Sequence, residues 1–198
     1  MKRKLFTLAT IVICLSILAG GTFANFTAEG TAHNVITSGK VDVELREWAD
    51  DGMEKPFPDK PVPVMPGTEQ TKIVQVENVG TASAYVRVLV EKKFDGEPGF
   101  VGDTDLIGID FDTTNWTANT ESDGKTYYYY KEALAGGATT APLFKKVTFN
   151  GPDMGNEYQN RKAYVNVYVM AVQAANNPVP DGGTVADDVQ GWPELPQQ

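Results

Sequence analysis

Residues 163–173 put Ala163, Val165, Val167, Val169 and Ala171 at one parity and Tyr164, Asn166, Tyr168, Met170 and Val172 at the other. A period of two sustained over that length fits a β-strand. Shorter runs of the same kind recur along the chain, and no segment carries a long 3.6-residue period. Helical bundles and βαβ folds both need such a period. The pattern therefore predicts an all-β chain, folded as one antiparallel sandwich.

Residues 40–45 alternate, with Val41, Val43 and Leu45 on one face and Lys40, Asp42 and Glu44 on the other. Ile36 and Gly39 extend this strand backwards. A connector rich in proline follows (Pro56, Pro58, Pro61, Pro63, Pro66), read as loop or extended edge because proline cannot donate into a ladder. Residues 71–77 and 84–91 read as a hairpin closed by Asn78-Val79-Gly80-Thr81. The second of these strands is apolar on both faces and belongs in a sheet centre. Residues 103–116 hold a short helical turn or a strand, and the pattern leaves both open. Residues 126–131 contain Tyr127, Tyr128, Tyr129 and Tyr130, and their aromatic enrichment predicts a strand with two rings inward and two outward. Residues 143–149 form another strand. Beyond residue 177 the composition turns to Pro, Gly and Asp. This predicts a flexible C-terminal tail over 178–198, with a candidate short helix at 185–192.

The first 24 residues have a different character. Lys2, Arg3 and Lys4 precede an apolar run from Leu5 to Leu18. That run is about 14 residues, short of the ~20 a bilayer-spanning helix needs. Thr22 and Ala24 then offer small side chains at the positions a signal peptidase reads. The segment is expected to be a cleavable signal helix, cut between Ala24 and Asn25. Any attachment to a membrane would be through this uncleaved signal. The sandwich domain then spans 25–177. Residues 25–39 are polar, with Gly30 and Gly39 as flexible points, and lead into the first regular strand.

The chain carries a formal charge of −9, which falls to −12 once Lys2, Arg3 and Lys4 are removed. Such a charge disfavours nucleic acid and anionic lipid as partners. The single cysteine, Cys14, lies inside the apolar run, so residues 25–198 offer neither a disulfide nor a thiolate. His33 is the only histidine, and no His-Glu-x-x-His or Gly-x-Ser-x-Gly pattern is present. Zinc and triad hydrolysis are therefore not expected, and no cofactor is expected. Asp103, Asp105, Asp110 and Asp112 form a candidate calcium loop without the central glycine and final glutamate of an EF-hand. The four tyrosines offer a candidate glycan-stacking face.

Several stretches carry a resemblance. Gly20-Gly21-Thr22-Phe23-Ala24-Asn25-Phe26-Thr27, the run from Asn34 to Leu45, Pro66-Gly67, Asn78-x-Gly80, Tyr85-Val86-Arg87-Val88 and Ala171-Val172-Gln173-Ala174 follow one another at suitable spacing. In that order they are similar to the TasA/camelysin (CalY) family, exported proteins processed by a SipW-type signal peptidase. The resemblance implies a jelly-roll-like β-sandwich, an extracellular role and a structural part in envelope or biofilm matrix, while an exported domain of this size without cysteine points to a Gram-positive-type bacterium. It also implies fibres in which the N-terminal segment of one subunit completes the sheet of the next. Some members have been classed as metallopeptidases, a label that the residue inventory above does not support.

Independently of the resemblance, a free polar end before a regular strand is suited to strand addition at a sheet edge. Phe26, Val35, Ile36, Val41 and Val43 are the expected assembly-strand anchors. The leading expectation is a non-enzymatic, self-associating fibre protein. A secreted adhesin for glycan or calcium comes second, and a camelysin-type metallopeptidase third.

Overall fold

The computed structural model describes residues 34–37, 41–58, 62–63, 66–95, 100–158 and 161–195. The signal run, the Ala24–Asn25 junction and Phe26 lie outside them. The described residues form a jelly-roll-like β-sandwich of two sheets. The strands are β1 (Asn34–Thr37), β2 (Val43–Trp48), β3 (Val62–Pro63), β4 (Glu69–Asn78), β5 (Ala84–Phe94), β6 (Ile107–Ile109), β7 (Trp116–Thr120), β8 (Thr126–Tyr130), β9 (Phe144–Phe149) and β10 (Lys162–Gln173). One sheet runs β1-β10-β5-β8-β7, with β3 also on β10. The other runs β2-β4-β9-β6. Among the described residues no helix is long and apolar enough to cross a membrane.

Two long pairs organise the fold. β4 lies antiparallel to β9 in one sheet, and β5 lies antiparallel to β10 in the other. Both chain segments cross between the sheets, as a long ribbon does when folded over itself. The inward parity of β10 and β5 supplies Val165, Val167, Val169, Val86 and Val88 to the core between the layers. β4 and β9 supply Val74, Val76, Phe144, Val147 and Phe149 from the other side. Burying each such side chain stabilises the fold by roughly 1.5–3 kcal/mol. β5 sits between β10 and β8, the central place its apolar faces predict.

The hairpin expected at Asn78-Val79-Gly80-Thr81 does not form. Its two strands lie in different sheets, joined by an arch. Asn78 is fully buried and decides this. Its Nδ2 donates to the carbonyls of Ala82 (2.8 Å) and Leu134 (2.9 Å), and its Oδ1 accepts from the Gly80 N–H (3.1 Å). Its backbone N–H donates to Ala138 O and its carbonyl accepts from Gly137. The turn residues are thus committed to the 134–138 loop, and no side-by-side pairing is left to them. Gly136 permits the approach, since a Cβ there would lie 2.7 Å from Gly80 O.

The 103–116 segment holds both options the sequence left open: a 3-10 turn, Thr104–Leu106, followed directly by β6. β7 is not apparent from sequence, because Trp116 and Ala118 alternate with Thr117 and Asn119 over too short a run to stand out. The proline-rich connector contributes β3, a two-residue edge pairing with Ala163 and Lys162.

Candidate functional site

Three places carry the residues singled out by sequence: the β1 edge, the acidic loop and the tyrosine face. β1 runs parallel to β10, with Asn34 opposite Tyr168, Val35 opposite Val169, Ile36 opposite Met170 and Thr37 opposite Ala171. It is a parallel strand at the margin of an otherwise antiparallel sheet. The segment expected to be a donor for another subunit therefore folds, at residues 34–37, onto its own chain. Val41 and Val43 do not line that edge. They are 5% and 2% exposed and belong to the core between the sheets.

The four aspartates are not brought together on one ion. Asp103 accepts from the Asp105 N–H at 2.9 Å and starts the 3-10 turn. Asp105 is exposed on that turn. Asp110 accepts from the N–H groups of Lys145 (2.9 Å) and Lys146 (2.6 Å) on β9. Asp112 closes the turn before β7, accepting from Thr114 N–H, Asn115 N–H and Asn115 Nδ2. The Asn115 amide, chiefly, and these backbone donors hold its carboxyl below the usual range. Among the described residues no group of three or more His, Cys, Asp or Glu is placed to hold a metal ion. Asp103, Asp110 and Asp112 are each held by donors of their own turn or of a facing strand.

The tyrosine strand divides as expected, two and two, but neither pair faces open solvent. Tyr128 and Tyr130 point between the sheets, where Tyr128 stacks on Phe111 at 4.0 Å and Tyr130 meets Trp116 at 5.1 Å. Tyr127 and Tyr129 point to the outer face, yet are 4% and 1% exposed. They are covered by the chain from Val179 to Leu195, which the sequence predicts to be a flexible tail. Val185 and Val189 are buried in this second apolar cluster with Tyr85, Leu89, Tyr168, Met170 and Val172. The expected helix is a single turn, α1 (Val185–Asp188), capped by the Thr184 hydroxyl, which accepts from Asp187 N–H.

Arg87 stands at the centre of this covered face. Its guanidinium lies 4.2 Å from the Tyr127 ring centroid and 5.0 Å from that of Trp192. Nη1 donates to the Tyr129 hydroxyl at 3.1 Å and approaches Glu121 Oε1 at 3.5 Å. Nε is buried without a hydrogen-bond partner among the described residues. The Tyr129 hydroxyl donates to Glu121, and the Tyr127 hydroxyl to Asp123 at 2.8 Å. Burial, then these carboxylates, push both phenols up to about 12. Beside the strap, a cleft of about 210 Å³ is lined by Thr117, Tyr129, Lys131 and residues 183–186. Sequence alone does not single out Arg87 or Trp192.

The other sheet has its own cover. Ala49 N–H donates to Lys55 O and Phe57 N–H to Glu47 O, folding the 49–57 loop against β2. Beneath it Lys72 and Glu47 form an ion pair of 2.7 Å, 3% and 4% exposed, with the Phe57 ring 4.2 Å from Nζ. A bulge between Thr71 and Val74 shifts the register of β4 against β9 beside this pair.

No family model matches the chain, and no curated protein matches it. Two solved structures are similar in fold, both of the carbohydrate-binding module CBM3b from the cellulosomal cellobiohydrolase 9A of Clostridium thermocellum. One, a point mutant, is 9% identical with a TM-score of 0.28, over 77% of this chain and 100% of that one. The other is 9% identical with a TM-score of 0.26, over 67% and 91%. At those scores the likeness carries no argument about function.

Proposed function

We propose that this chain is an exported, non-enzymatic structural protein of a bacterial envelope or biofilm matrix, which assembles by exchanging its N-terminal strand between subunits. The observation that supports this reading is β1. It is four residues long, parallel, and at the edge of its sheet. Whatever pairs with β10 within one chain pairs equally well when supplied by another copy, which is the logic of strand exchange. A head-to-tail exchange is heterologous and propagates as a filament. Signal cleavage after Ala24 would free the exchanging end, so processing by a SipW-type peptidase would control assembly. The adhesin reading is less well supported, because its tyrosine face is covered and three of its four aspartates are engaged locally.

The test is electron microscopy of the chain starting at Asn25, beside the same chain lacking residues 25–37. Filaments are expected from the first and a folded monomer from the second. Filaments from the truncated chain would overturn the strand-exchange reading.

A further inference from the structure

The chain holds one asparagine followed by glycine, at Asn150-Gly151. The dipeptide directly follows β9 and begins the turn that leads toward β10. Every other asparagine precedes a residue with a side chain, as Asn78 precedes Val79 and Asn115 precedes Trp116, and Asn177 precedes Pro178, which has no N–H. Glycine has no Cβ to shield its own backbone nitrogen.

Asn150 is exposed and Gly151 half-buried. The Asn150 N–H donates to Leu106 O at 3.0 Å, and Asn150 Nδ2 donates to Asp153 Oδ2 at 2.7 Å. Among the described residues the Gly151 N–H has no hydrogen-bond acceptor. The side-chain amide is thus held at the surface by a bond that water can replace, beside an uncommitted backbone nitrogen. Asn78 is the contrast, since its amide is fully buried and bonded at both ends. Behind the dipeptide the space is closed. A Cβ on Gly151 would lie 2.8 Å from Gly67 Cα, and the Gly67 N–H donates to Phe149 O at 3.0 Å.

We infer that Asn150 is a site of self-modification, at which the chain's own backbone displaces the side-chain nitrogen. The Gly151 nitrogen, after losing its proton to solvent, attacks Asn150 Cγ. The Cγ–Nδ2 bond breaks, ammonia leaves with a proton taken from water, and a cyclic succinimide remains. Water then opens the ring at either carbonyl, giving aspartate or isoaspartate. Nothing is oxidised or reduced, and water is the sole co-reactant. The reacting groups belong to adjacent residues, so the attack is intramolecular and needs no enzyme. The product carries a new negative charge facing Asp153, where the amide had donated. Isoaspartate also adds a methylene to the main chain between two fixed points, the bond to Leu106 O and the crossing with Gly67. The turn must therefore shift, and with it the joint between β6, β9 and the start of β4. The reaction requires neither strand exchange at β1 nor any partner.

Incubation of the chain from Asn25 onward at mildly alkaline pH, followed by intact mass and peptide mapping, tests it. The mass gain of deamidation is expected at Asn150 ahead of every other asparagine, with isoaspartate exceeding aspartate. The rate should rise with pH, because the Gly151 nitrogen reacts without its proton. Asn150→Gln keeps an amide but must close a larger ring, and should slow conversion at that position at least ~10-fold. In the converted protein, hydrogen exchange should quicken at 66–69 and 106–109 while β5 and β10 stay unchanged. Asn150→Asp adds the charge without the methylene and should give a smaller quickening. The same chain unfolded in urea sets the reference rate. An Asn150 that stays intact in the folded protein, over the time in which the unfolded chain converts, overturns the proposal. So does conversion that begins at another asparagine, or a rate at Asn150 that does not respond to pH.

Discussion

Lys72 and Glu47 show how far a single side chain can depart from its sequence pattern. Lysine at position 72 reads as the solvent side of a strand, yet its ammonium is closed in by Phe57 and paired at 2.7 Å. Removing one member of a buried pair leaves an uncompensated charge, at a cost of about 3–5 kcal/mol. Lys72→Met is therefore expected to lower the urea midpoint severely. Lys72→Met combined with Glu47→Leu should recover most of the loss. If the double variant is no better than the single one, the pair is not what couples these positions. Asn78 is a second case. The Asn-Val-Gly-Thr string matches a turn, and a turn is present. Its class was not legible, because the partners that bury the amide, at Ala82 and Leu134, include one far along the chain.

At the scale of elements, the strands built on period-two or aromatic runs were legible: β2, β4, β5, β8, β9 and β10 each fall within a few residues of the expected stretch, but Ile36, expected to extend β2 backwards, belongs to the separate strand β1 in the other sheet. β7 was missed because edge pairing with β8 forms it, and its own alternation, Trp116 and Ala118 against Thr117 and Asn119, is too short to stand out. The 179–195 strap was missed for a related reason. Val185, Val189 and Trp192 are spaced too widely to register as an apolar segment, and they gain burial only against Tyr127, Tyr129 and Met170 on the sheet. Val189→Asp is expected to release the strap while leaving the inter-sheet core intact. Hydrogen exchange should then quicken in residues 177–195 and at the Tyr127 and Tyr129 side of β8, with β4 and β9 unchanged. Uniform acceleration across both sheets would mean that the strap is part of the global folding unit.

The whole molecule carries two apolar layers of packing: one between the sheets and one between the outer sheet and the strap. Burial also raises the Tyr128 phenol between the sheets, but the two phenols under the strap are raised furthest. The phenols of Tyr127 and Tyr129 are raised from 10 to about 12 in the folded chain. Folding therefore favours their protonated form. Their contribution is fully present below pH 10 and is lost as pH rises toward 12. Stability should fall across that window, and tyrosinate absorbance should show a late phase that Val189→Asp moves toward pH 10. A late phase that Val189→Asp leaves wholly unchanged, rather than reduced to the Tyr128 share, would mean that the strap does not raise Tyr127 and Tyr129. By itself the sequence determined the all-β class, the parity of the main strands and the poverty of catalytic groups, because each follows from side-chain type and spacing along the chain. Only the tertiary structure decided that the expected hairpin is an arch, that the aspartates stay apart, and that the tail lies over the tyrosines. Each of these depends on pairings between residues distant in sequence, and on buried polar groups finding partners there.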